Sequence, residues 1–115
     1  MPHLIVEYSA NLSDEVAKAH LVEMLHHAVG QCGLFKMGDV KTRAYEASDF
    51  LVGENGRDGS FLHLSMYIKE GRSAEQRGTL SDTLLEMLKA HLPSAQQLTV
   101  DIRELSDAAY RKFVR

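Results

Sequence analysis

A short apolar strand followed by an amphipathic helix occurs twice in this chain, and that recurrence limits the available folds more than any other feature. Ile5, Val6 and Glu7 precede the run Leu21 to Leu25 (LVEML); 63 residues later Ile68, Lys69 and Glu70 precede Leu84 to Leu88 (LLEML). The first strand is expected over residues 3–8. The helix after it is capped by Asn11 or Ser13, with Asp14 and Glu15 in the first turn, where the helix dipole favours negative charge. Leu21, Val22, Leu25, Ala28, Val29 and Cys32 recur at helical spacing, which makes Cys32 part of a buried stripe; Gly30 and Gly33 end the helix. In residues 40–46, Val40, Thr42 and Ala44 alternate with Lys41, Arg43 and Tyr45, a strand with two cations on one face.

A glycine-rich loop, residues 47–59, separates the halves. Residues 60–69 then alternate most clearly, with Leu62, Leu64, Met66 and Ile68 on one face and Phe61, His63, Ser65 and Tyr67 on the other. Ser73 followed by Gln76 is a capping box. It opens a second helix, with Leu80, Leu84, Met87, Leu88 and His91 inward and Pro93 as its stop. Leu98, Val100 and Ile102 mark a fourth strand, and residues 106–115 form a tail that either docks as a short helix through Tyr110 and Phe113 or reaches a neighbouring subunit.

The order strand, helix, strand, twice over, predicts an α/β (α+β) fold. Two right-handed βαβ units, about 2–46 and 60–105, fuse into one four-stranded mixed sheet with both helices on one face. The 115 residues then make a single domain. The other sheet face is left bare, which predicts an oligomer that covers it.

Composition narrows the function. The chain is 44% hydrophobic and 25% charged, as in ordinary soluble proteins, and no apolar run approaches the roughly 20 residues of a membrane span. A formal charge of -3 disfavours nucleic acid, which needs a dense basic face. One cysteine allows no intrachain disulfide, no signal peptide is visible at the start, and a cytoplasmic protein is expected. His26 and His27 are adjacent and do not share a helix face, so no metal site is expected there.

Two features carry chemistry. Pro2 follows Met1 directly, and proline is a residue after which the initiator methionine is normally removed. Removal would leave a secondary amine, a base that the same nitrogen in a peptide bond is not. The other feature is Arg72, placed just before a helix N-terminus, where free N–H groups reinforce anion binding.

The terminal proline opening a strand, the βαβ repeat and the segment EGRSAEQR (70–77) together resemble the tautomerase superfamily. The fused two-unit length, with MPHLIVEYS at the start and HLSMYIKEGRS in the middle, is most similar to the 5-carboxymethyl-2-hydroxymuconate isomerase family. The resemblance spans nearly the whole chain and is weak in the 47–59 loop and the tail. It implies a cofactor-independent isomerase in aromatic-acid catabolism, a homotrimer acting on a small anionic substrate. Pro2 would be the catalytic acid–base, and Arg72 the ligand of a carboxylate or of the 2-oxo group. The family's second arginine falls on Lys41, with Arg43 two residues along the same face. That departure keeps the charge but loses the planar fork that grips a carboxylate bidentately. His63 is a further substrate-binding candidate. Two alternatives stay open: another tautomerase activity, such as a phenylpyruvate-type one, and a non-catalytic ferredoxin-like module, which shares the element order. Strand order separates the second, because only the tautomerase arrangement keeps each unit's two strands adjacent and parallel.

Overall fold

The computed structural model describes residues 1–115. The chain runs β1 (His3–Ser9), α1 (Ser13–Lys18), α2 (Leu21–Gly30), β2 (Lys41–Ala47), β3 (Phe61–Lys69), α3 (Ala74–His91) and β4 (Gln97–Leu105). The sheet order is β2-β1-β3-β4. β1 and β2 are parallel, as are β3 and β4, and β1 meets β3 antiparallel with His3 opposite Tyr67. Each unit therefore keeps its own strands together, and the interleaved ferredoxin-like arrangement is ruled out. No helix is long and apolar enough to cross a membrane.

The two units are closed by the same backbone bond. Lys41 N–H, at the start of β2, donates to Pro2 C=O at 3.1 Å, and Gln97 N–H, at the start of β4, donates to Ser60 C=O at 3.1 Å. The sequence match does not follow this register. Ile5 is the third residue of β1, whereas Ile68 is the eighth of β3.

The core forms between the sheet and the helices because the strand period of two and the helix period of 3.6 both bring leucines to one plane. Leu4, Val6, Leu62, Leu64, Met66 and Ile68 from the sheet meet Leu21, Leu25, Val29, Leu80, Leu84 and Leu88 from the helices, all buried. Leu64→Ala is expected to destabilise the fold by about 2–5 kcal/mol, read from the urea midpoint, since a fully buried leucine in a close-packed core leaves a cavity behind.

Several expectations are corrected here. The first helix is two helices, broken where His20 takes a left-handed φ of 47°. Leu12 and Val16 are four apart, as are Leu21, Leu25 and Val29, but Val16 and Leu21 are five apart. An unbroken helix turning about 100° per residue would carry the second stripe off the core, and the break resets it. Neither Asn11 nor Ser13 acts as a side-chain cap. Asn11 instead donates to Gly59 C=O at 2.7 Å, tying the first helical turn to the loop, and Ser13 Oγ donates to Ala10 C=O at 2.7 Å. Cys32 is exposed, because α2 stops at Gly30 before the stripe reaches it. His91 is exposed in the last turn of α3.

The second helix begins as expected. Ser73 Oγ accepts from Gln76 N–H at 3.0 Å, and Gln76 Oε1 accepts from Ser73 N–H at 2.9 Å. The tail forms no helix. Tyr110 is half-buried, but Phe113 is 78% exposed. On the sheet face opposite the helices, Ile5, Phe61, His63, Ser65 and Tyr67 are half-buried, and Tyr45 is 56% exposed.

Candidate active site

One end of the sheet gathers most of the residues singled out from the sequence. β1 and β2 start there and β3 and β4 finish there, because β1 runs antiparallel to β3. Pro2 sits at this end, buried, directly before β1. Lys41 is held against it through the backbone, and Arg72 follows β3 by three residues.

Arg72 is fixed by the connection between α2 and β2. Its Nη2 donates to Leu34 C=O at 2.6 Å, and its guanidinium carbon lies 5.3 Å from the centre of the Phe35 ring. Nε is buried without a partner. A guanidinium carries five N–H donors, so a single carbonyl leaves most of the fork for a ligand. Beside it opens a cleft of about 750 Å³, bordered by Leu34, Ser73, Gln76 and Leu80.

The opposite side of the sheet end is basic. Lys41 Nζ donates to Asp39 C=O at 2.5 Å. Arg43 Nη1 lies 3.3 Å from His3 Nδ1, and since arginine can only donate, that nitrogen is the acceptor and His3 is neutral. Its Nε2–H then points to Tyr110 Oη at 3.5 Å. Burial first, and then Arg43 and Lys41, hold the His3 imidazole below its ordinary value. The Met1 α-amine, one residue before Pro2, is also pushed below the ordinary terminal-amine value, by burial first and then by Lys41 and Lys112, against a smaller opposing effect of Asp39. Burial and the two lysines disfavour a positive charge and outweigh Asp39, which is the environment a neutral amine base requires.

The structure thus places Pro2, Lys41, Arg43 and Arg72 at one end of the sheet. It does not bring His63 there. His63 pairs with Glu7 and its Nδ1 lies 2.5 Å from Thr99 Oγ1, four residues or roughly 13 Å along β3 from the position opposite His3. Asp39 and Lys112 escaped the sequence reading. Their ion pair at 2.6 Å joins residues far apart in the chain, and no local pattern announces it. Phe35 had only a signal of type, an aromatic residue in a connection between helix and strand.

Comparison with known proteins agrees with this geometry. A family model for 5-carboxymethyl-2-hydroxymuconate isomerase matches residues 2–113. The 5-carboxymethyl-2-hydroxymuconate Delta-isomerase of Escherichia coli is 26% identical over 110 residues, covering 91% of this chain and 87% of its own. The crystal structure of a 5-carboxymethyl-2-hydroxymuconate isomerase from Deinococcus radiodurans R1 superposes with a TM-score of 0.83 at 27% identity, over 99% of this chain and 90% of that one. A fused 4-OT wild-type symmetric trimer shares the fold at 19% identity and a TM-score of 0.76, over 96% of this chain and 90% of that one. A match that runs from Pro2 almost to the end of the tail takes in the cationic sheet end and both βαβ units, and on it this isomerase chain belongs to the 5-carboxymethyl-2-hydroxymuconate isomerase family.

Proposed function

We propose that the protein moves a proton within an unsaturated hydroxy- or oxo-di- or tricarboxylate resembling 5-carboxymethyl-2-hydroxymuconate, without a cofactor, in the breakdown of aromatic acids, with Pro2 as the base once Met1 is removed. The observation that carries this reading is the buried chain terminus among cations, where burial, Lys41 and Lys112 hold the Met1 α-amine below its ordinary value, surroundings that a Pro2 amine would take over once Met1 is gone. Burial and neighbouring cations disfavour the protonated form of an amine at this place. The unprotonated amine can take a proton from the substrate and return it at another carbon, so the reaction needs no other acid or base. Negative charge grows on the 2-oxygen during the transfer, and Arg72 offers donors to it from a fixed position.

Lys41 and Arg43 supply positive charge for the carboxylates. Lysine at 41 binds as a point charge, which suits a flexible carboxylate more than a planar bidentate grip. His63 joins this set only across a subunit boundary, in a homotrimer whose open sheet faces pack together; the fused 4-OT trimer has the same fold and supports that assembly.

The test uses protein whose intact mass shows Met1 removed, assayed on 2-hydroxymuconate-type dienols and on a phenylpyruvate-type enol. Turnover of the dicarboxylate dienols is expected to dominate. Pro2→Ala is expected to lose about 10- to 100-fold in kcat, less than the roughly 10²–10⁴ of a whole acid–base group, because alanine's primary amine remains as a weaker substitute. Unchanged kcat in Pro2→Ala, or turnover confined to the monocarboxylate enol, would overturn the reading.

A further inference from the structure

The C-terminal segment returns to the sheet end where Pro2 lies, and the mechanism above uses it only through the charge of Lys112 on the terminal amine. Tyr110 packs edge-on to His3 at 6.5 Å between ring centres, and Lys69 Nζ sits 5.9 Å from the Tyr110 ring centre. Two residues on, Lys112 Nζ meets Asp39 Oδ1 at 2.6 Å, and its side chain is only 30% exposed although the backbone around it is open. Asp39 therefore holds two ammonium groups with different atoms. Its carbonyl takes Lys41 Nζ at 2.5 Å and its carboxylate takes Lys112 Nζ. Between the segment and the start of β2 lies a cavity of about 610 Å³, whose walls include His3, Lys41, Arg111 and Lys112.

We propose that Lys112 is a specificity residue of the Pro2 site, clamped by Asp39 beside Lys41 so that the C-terminal segment supplies the cation for a second carboxylate of the substrate. The inference rests on the function proposed above and names how that site selects its substrate class. One carboxylate of Asp39 shared with one lysine leaves two donors on that ammonium. The cavity holds more positive than negative side chains, so an anion entering it meets net attraction, and the half-buried position weakens screening by salt. The surrounding titratable groups are the chain-terminal amine, His3 on β1, Asp39 before β2, Lys41 and Arg43 on β2, Lys69 on β3, and Tyr110, Arg111 and Arg115 on the tail. Only Asp39 is acidic among them. A substrate with one carboxylate, satisfied by Lys41 and Arg43, gains nothing from this further cation. A substrate with two or three gains a grip that Lys41 alone, lacking the bidentate fork, does not supply.

The experiment compares Lys112→Met, Lys112→Arg and Asp39→Asn with the parent enzyme, all with Met1 removed. On the pH plateau, Lys112→Met is expected to raise KM for a dicarboxylate dienol about tenfold with kcat within threefold, and to leave KM for a monocarboxylate enol unchanged. Lys112→Arg is expected to restore most of the affinity, and Asp39→Asn to fall between. Calorimetry with propane-1,2,3-tricarboxylate, which needs no turnover, is expected to show the same tenfold weakening in Lys112→Met, with phenylacetate unaffected. Equal losses for one and several carboxylates would reduce Lys112 to a structural strap, and undiminished tricarboxylate binding, or none in the parent, would overturn the proposal. If binding follows the expected pattern while Pro2→Ala keeps full activity, the proline-base reading fails and the anion site stands.

Discussion

Protein that keeps Met1 is expected to turn over dienols at least a thousandfold more slowly than protein from which Met1 has been removed, when both are prepared from the same sequence and separated by intact mass. The reason is electronic. The Pro2 nitrogen of the longer form is an amide whose lone pair is delocalised into the carbonyl. Loss of a positioned acid–base group costs about 10²–10⁴ in rate, and a retained methionine, itself nearly buried at 9% exposure, also fills space at the sheet end. The pH dependence gives a second readout. The surroundings that lower the Met1 α-amine, burial first and then Lys41 and Lys112, would lower a Pro2 amine in the same sense. The acid limb of kcat/KM should therefore lie below the ordinary value of a terminal proline amine, with activity lost as pH drops through it, and should move upward when Lys41 is replaced by methionine and one of the depressing charges is gone. Equal turnover by the two forms would remove Pro2 from the chemistry.

Arg72→Ala is expected to lower kcat/KM by about 10²–10³, the usual effect of losing a fixed donor to a developing oxyanion. Arg72→Lys should recover only part, because a lysine lacks the fork that donates to Leu34 C=O beside the Phe35 ring while offering further donors to substrate. The guanidinium also ties the connection between α2 and β2 to the start of α3, so thermal unfolding of each variant must be compared. The Phe35 contact is worth about 0.5–2 kcal/mol, too little to unfold the chain. A fall in kcat/KM that is matched by a collapsed Tm would point to scaffold damage, whereas the same fall at nearly constant Tm assigns the effect to the site.

Much of this arrangement was legible in the residues. The alternation of Leu62, Leu64, Met66 and Ile68 can only place one face inward, and the Ser73–Gln76 box fixes where α3 begins to within a residue. Pro2 and Arg72 were legible as types and through family resemblance, and their common sheet end follows from the antiparallel pairing of β1 with β3. What escaped was set by tertiary reach. The break at His20 was written in the five-residue step from Val16 to Leu21, but a stripe counted from Leu21 onward hides it. Cys32 fits the helical period and still points outward, since a period says nothing about where the helix ends. The Asp39–Lys112 pair depends on the path of a tail with no secondary structure, and no periodicity describes such a path.

The matched closing bonds of the two units have a consequence for stoichiometry. Pro2 and Ser60 occupy the same station, each accepting from the first residue of its unit's second strand. At the first station the partner is Lys41 and the nitrogen can be freed by trimming one residue. At the second the partner is the neutral Gln97, and Ser60 is mid-chain, its hydroxyl spent on Ser94 C=O and Gln96 N–H. The second half, lying mid-chain, has no such terminus. With Pro2 as the proposed base, it would serve as framework, and each chain would hold one reaction centre for two units. An assembly of three chains would work with three centres on six βαβ units, whereas unfused halves would each bring their own.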